Sequence, residues 1–263
     1  MKQFSISIAF LFVLILFFLT PGTCLAQLDK ADAVFEYDSL HIYSSGKKTD
    51  FIYVHFKRSY RIKIQSNKGA NDFESITLPE WHDPSLYFHA PEQHNAGKHL
   101  GAVEVEDFRL SIIKADGSRV DTIVTPLYEP ERFVGIKDSK YETASYYKYL
   151  IGDLQPGDIV EIKYNYSAPY GENLFSLLTF RIFFHGSYPV LEKHFTYSHL
   201  KGLEVDVTTY LGDEPAVEYG AETKYDWHFQ NLPACMEESG IKPYLDLPHV
   251  IISMKPYEMI YTV

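Results

Sequence analysis

The stretch IYVHFKRSYRIKI, residues 52–64, decides the fold class. Its even positions read Ile, Val, Phe, Arg, Tyr, Ile, Ile, and its odd positions Tyr, His, Lys, Ser, Arg, Lys. Successive side chains of a strand point to opposite faces, so this pattern predicts a long strand with one face on a core and the other in water. Arg58 alone interrupts the apolar row, which predicts a bulge or a strand boundary there.

The same period recurs on both sides. FRLSIIKADGSRVDTIV (108–124) places two alternating runs around Asp116-Gly117, a dipeptide that accepts positive φ and so predicts a hairpin. GDIVEIKYNYSA (157–168), LLTFRIFF (177–184), VLEKHFTYS (190–198) and LEVDVTTYL (203–211) alternate again, and Tyr225, Trp227 and Phe229 close the series. SKYETASYYKYLI (139–151) suits a helix or a strand. Gly and Pro punctuate these runs, and 21 Tyr with 18 Phe suit pleated, half-buried surfaces. The expectation is all-β: an antiparallel two-sheet β-sandwich over residues 27–230. Two segments lack the period. Residues 79–101 form a long loop carrying His82, His89, His94 and His99. Residues 231–263 hold Pro233, Pro243, Pro248 and Pro256, which predict an extended exit segment leaving the sandwich.

The first 26 residues read as a secretory signal. Lys2 precedes an apolar run from Ile6 to Leu19, Pro21-Gly22 breaks it, and Cys24-Leu25-Ala26 offers small residues for cleavage after Ala26. Lipidation at Cys24 is the second reading, weakened by Thr23 before it; an uncleaved anchor is the third, on a run short of the ~18 apolar residues a span needs. The expected location is the periplasm or outer cell envelope. Cleavage removes one charge, leaving 23 basic against 35 acidic residues, a balance of −12. That acidity argues against nucleic acid or anionic lipid as a partner. Cys235 is then the single cysteine, so stability rests on the apolar core rather than on disulfides.

Cys235 is the first candidate for chemistry. A thiolate nucleophile needs a base within hydrogen-bond reach, and the adjacent Glu237 and Glu238 disfavour the thiolate. His228 stands seven residues away on the predicted outer face of its strand. Cys235 therefore reads as a small, half-buried residue. The four histidines of the 79–101 loop, with Asp83 and Glu92, have a zinc ligand's chemistry but irregular spacing. Glu104/Glu106 and Glu129/Glu131 read as solvated neighbours on one face. No GxSxG elbow, phosphate-binding glycine loop or HExxH occurs. The expectation is no catalytic, cofactor or metal residue and no cofactor.

Four segments in order, KADGSRVD (114–121), LQPGDIVEIKYNYSAP (154–169), GSYPVLEKHFTYSHLKGLEVDV (186–207) and WHFQNLPACMEESGIKPYLDLPHVIIS (227–253), resemble the domain of unknown function that precedes transglutaminase-like domains in exported bacterial envelope proteins. The resemblance spans about residues 50–253, and order and spacing carry it more than any one motif. It implies a β-sandwich without an active site, followed in the usual arrangement by a papain-like Cys-His-Asp domain. That domain is not present before Val263, so its residues map to no position here. The resemblance implies a binding or positioning module for a transglutaminase-like peptidase domain, supplied in trans or lost downstream. The alternatives are a metal-dependent hydrolase or metal-binding protein on the His82–His99 loop, and a sandwich that binds glycan or peptide on an aromatic face.

Overall fold

The computed structural model describes residues 28, 30–48, 51–78, 104–122, 127–131, 144–171, 179–201, 203–235 and 246–254. They form an all-β fold in packed sheets, as the alternation predicts. Eight strands build the large sheet. They are β1 (Ala33–Lys48), β2 (Phe51–Ile64), β4 (Glu104–Ile113), β5 (Arg119–Thr122), β8 (Ile159–Gly171), β10 (Val190–Leu200), β12 (Ala216–Tyr219) and β13 (Glu222–Leu232), in the order β12-β13-β10-β1-β2-β8-β4-β5. A three-stranded sheet is built from β3 (Ser75–Leu78), β7 (Ala144–Leu150) and β6 (Leu127–Glu131), and another from β11 (Val205–Tyr210), β14 (His249–Met254) and β9 (Thr179–Phe183). One short helix, α1 (Asn67–Asp72), follows β2.

Both small sheets lie on the same face of the large one, making two layers. Register shows why. Trp227, Phe195, Leu40, Phe56, Tyr166 and Tyr164, Ile162, Leu110 occupy positions whose side chains share that face across β13, β10, β1, β2, β8 and β4. Tyr149 of β7 stacks on Phe108 of β4 with centroids 3.8 Å apart. Phe184, just after β9, meets Phe195, Trp227 and Phe229 at 6.5, 6.2 and 4.4 Å. Fully burying one such ring contributes roughly 1.5–3 kcal/mol, so this aromatic interior is a main source of stability.

The hairpin read around Asp116-Gly117 is present over residues 108–122; residues 123 and 124 lie outside the described ones. Ile113 pairs with Arg119, Gly117 has φ +85°, and the Ser118 N–H donates to the Asp116 carboxylate at 2.8 Å. Of the ambiguous segment 139–151, Ala144–Leu150 form a strand, β7, and 139–143 lie outside the described residues. Three features differ from expectation. All pairings among the described residues are antiparallel except β1 with β10, which is parallel. The proline-rich closing segment does not simply leave the sandwich. His249–Met254 returns as the central strand of its sheet, with Val250, Ile252 and Met254 buried. Finally, β2 has no bulge at Arg58, where the register with β8 runs unbroken from Phe51 to Lys63. The bulge is in β1 instead, between Phe35 and Tyr37. It inverts the parity of β1: Ala33 and Phe35 face the core before it, Asp38, Leu40 and Ile42 after it.

Helix α1 is held to the start of β1. The Ser66 hydroxyl accepts from the Gly69 N–H at 3.1 Å and donates to Asp32 at 2.6 Å, while the Asp32 carbonyl accepts from Gln65 and Ser66. A side chain at position 69 would place Cβ 2.1 Å from that carbonyl oxygen, so glycine is required by close approach.

Candidate functional site

The parity switch in β1 puts a carboxylate inside the core. Asp38 is 2% exposed and is gripped by Arg58, whose Nε and Nη2 donate to its two oxygens at 2.9 and 3.1 Å. Lys193 of β10, also buried, approaches it at 3.3 Å. Burial acts most strongly on Asp38 and would raise its pKa, but the charges and hydrogen bonds of Arg58 and Lys193 outweigh burial and pull it down to about 2. Arg58 thus keeps its place in the apolar row because a partner waits across the strand pair. Its guanidinium also lies 5.1 Å from the centre of the Tyr60 ring.

The outer face of the same sheet is polar and dense in histidine. His55 stacks on Tyr43 at 4.4 Å and 7°, His41 lies 5.2 Å beyond, and Lys57 covers Tyr43 at 4.8 Å. Glu106 approaches the His55 ring at 3.7 Å. Burial is the main influence lowering the pKa of His55 and of His41, with Lys57 acting the same way on both. A step further along, Asp226 accepts from Lys224 at 2.9 Å and meets His194 Nε2 at 2.5 Å. Burial would raise Asp226, yet these two partners hold it below the usual carboxylate range.

One pair has the look of chemistry. A hydrogen bond of 3.0 Å joins His41 Nε2 and Ser198 Oγ, residues 157 positions apart in sequence. A serine nucleophile needs that base, a carboxylate to orient the base, and donors for the oxyanion. Two carboxylates, Glu222 and Asp226, act on His41; among the described residues neither is hydrogen-bonded to its ring, and Asp226 is engaged by His194 and Lys224. Ser198 stands mid-strand between Tyr43 and Lys224, where backbone N–H groups point along the sheet to neighbouring strands rather than up at a substrate carbonyl. Ser198 is 2% exposed as well. The pair cross-links β1 to β10 and has no geometry for acyl transfer. Glycan stacking on the Tyr43–His55 ladder is disfavoured for a related reason: their facing surfaces cover each other, and Lys57 lies over Tyr43.

Of the residues singled out from sequence, Cys235 is half-buried, and its N–H donates to the Gly186 carbonyl at 2.8 Å. Neighbouring His185 bonds through Nδ1 to the Pro233 carbonyl at 3.0 Å. His228 sits on the exposed side of β13 and meets Glu192 at 3.3 Å. The side chains of Glu104, Glu129 and Glu131, and the loop with His82, His89, His94 and His99, lie outside the described residues. Among the described residues, no group of three or more His, Cys, Asp or Glu side chains is placed to hold a metal. No helix among them is long and apolar enough to cross a membrane. Sequence reading missed the Asp38–Arg58–Lys193 cluster; the signal was a cation in an otherwise apolar row, Arg58 in 52–64 and Lys193 beside Phe195 and Tyr197.

No protein-family model matches the chain, and no curated protein does. Among solved structures, a candidate protease from Parabacteroides distasonis superposes with a TM-score of 0.62 at 14% identity, over 86% of this chain and 41% of that one. A candidate nutrient-binding protein of Legionella pneumophila gives 0.37 at 13% identity, over 86% and 68%. An M1 zinc metallopeptidase mutant of Deinococcus radiodurans gives 0.38 at 11% identity, over 85% and 42%. The first shares the fold of this chain, which spans about two fifths of its length; the lower two scores carry no argument.

Proposed function

We propose that this chain is a non-catalytic, exported β-sandwich that binds or positions a peptidase domain of the transglutaminase-like kind. The observation that supports this most is the extent of the structural likeness to the Parabacteroides distasonis protein. A sandwich of this fold makes up 41% of a longer protein described as a candidate protease, so it occurs as one part of a larger machine. Fold analogy alone does not set function, and the local geometry adds support. Among the described residues, the His41–Ser198 pair has no carboxylate hydrogen-bonded to its imidazole and no oxyanion site, and Asp38, Arg58 and Lys193 are locked to one another.

The test is reconstitution. A transglutaminase-like domain encoded beside this chain, co-expressed with it in the envelope, is expected to co-purify with it, while the chain alone turns over no peptide or ester. Turnover by the purified chain that disappears in Ser198→Ala or Cys235→Ala overturns the proposal. Export is tested separately: the envelope-extracted protein is expected to begin at Gln27. The metal-dependent alternative rests on the His82–His99 loop, and calorimetric titration with zinc decides it, since a metal site there requires binding much tighter than millimolar.

A further inference from the structure

The outer face of the large sheet carries a groove of about 420 Å³, lined in part by Tyr37, Ser59, Arg61, Arg109, Arg119 and Lys163. That volume falls within the roughly 300–1,000 Å³ of small-ligand sites. The acid in its lining, Glu161, is spoken for on both oxygens: Oε1 accepts from Arg61 at 2.9 Å, and Oε2 pairs with Arg119 at 3.0 Å. Arg61 also binds Glu36 at 2.6 Å, and Arg119 binds Asp121 at 3.0 Å. This bridge of two arginines and three carboxylates forms one side of the groove, and the two arginines on Glu161 screen it from an incoming anion.

The next row across the sheet is different. Ser59, Lys163 and Arg109 stand in register on β2, β8 and β4, so their side chains share the outer face at strand spacing, about 4.8 Å apart. Arg109 commits its Nε to Asp107 at 3.1 Å, which leaves the end of its fork for other acceptors. Lys163 has no carboxylate partner among the described residues. An exposed lysine by itself needs no partner. Here it is the centre of a row of three donors inside a groove whose other charges are already neutralised.

We propose that this groove binds an oxyanion, the carboxylate or phosphate group of a small ligand, with Lys163 and Arg109 as the receiving cations and the Ser59 hydroxyl as third donor. The Arg61–Glu161–Arg119 bridge holds the neighbouring row rigid. The site is independent of any association with a peptidase domain; its four cations are matched by Glu36, Asp107, Asp121 and Glu161, so it holds an anion by directed hydrogen bonds at close range rather than by a net positive field.

The experiment is a titration of the purified, isotope-labelled chain at low salt, following backbone amide shifts. One arm uses inorganic phosphate and the other succinate. Saturable shifts centred on residues 59, 109 and 163 in either arm support the site, and the arm that saturates at lower concentration identifies the group. Lys163→Gln is expected to weaken binding about tenfold or more, as loss of a charge-assisted hydrogen bond does, and adding Arg109→Gln to abolish it. Both side chains are exposed, so the fold is retained. Lys63→Gln, on the same face but outside the groove lining, is expected to change nothing. Non-saturating shifts in both arms, or equal weakening by Lys63→Gln, overturn the proposal.

Discussion

Glu36 and Asp38 stand two residues apart on β1, and each is paired with an arginine of β2, yet they lie on opposite faces of one sheet. Glu36 meets Arg61 at 2.6 Å with the two side chains 31% and 40% exposed; Asp38 meets Arg58 at 2.9 Å with 2% and 7% exposed. The shorter contact is the weaker constraint. In water an ion pair gains little, because solvent screens it and two long side chains must be ordered. In the core, the desolvation of three charged groups is offset only while all of them stay together. The same two residue types therefore make an expendable cross-link outside and an indispensable one inside.

Removing the inner carboxylate is expected to have the largest effect. Asp38→Ala leaves Arg58 and Lys193 buried facing each other, and a loss of about 3–5 kcal/mol is expected from urea unfolding. A loss below 1 kcal/mol would mean that water reaches the cluster and that the contrast between faces is false. Acid gives the next test. The folded pKa of Asp38 is lowered to about 2, so its contribution is fully present above the unfolded value near 3.9 and fades as pH falls from there toward 2. A term of roughly 2–3 kcal/mol in the pH dependence of stability is expected over that window, absent in a destabilised but folded Asp38→Asn.

Crowding of the backbone comes next. Gly69→Ala forces Cβ against the Asp32 carbonyl and is expected to cost about 1–3 kcal/mol, read as a lowered denaturation midpoint with unchanged slope. Smallest is the outer pair. Glu36→Gln is expected to change stability by at most about 1 kcal/mol, an effect that shrinks in molar salt. A larger loss that resists salt would place Glu36 in the same class as Asp38.

How much of this was legible beforehand varies by segment. Where alternation was unbroken, as in 157–168, the strand and its buried face were readable, because a strand half in water can hardly use another pattern; in 190–198 Lys193 interrupts the row of Phe195 and Tyr197 and is itself buried. Asp116-Gly117 announced its hairpin for an equally local reason. Residues 249–254, after three prolines, carried too short a run to stand out, and only partners far back in the chain, in β11 and β9, make it a central strand. Arg58 was visible as an exception to its row, but its explanation lay on another strand. The groove had no signature at all, since Ser59, Arg109 and Lys163 are ordinary polar residues until register sets them side by side.

The sequence by itself determined that this is a β protein with an aromatic interior and no disulfide framework, because period two and composition are local properties that hold whatever the partners are. Only the tertiary structure decided which strands pair, that β1 runs parallel to β10, and that a bulge between Phe35 and Tyr37 turns Asp38 inward. A one-residue shift in register exchanges the two faces of a strand, and what fixes it is contact between residues far apart in the chain.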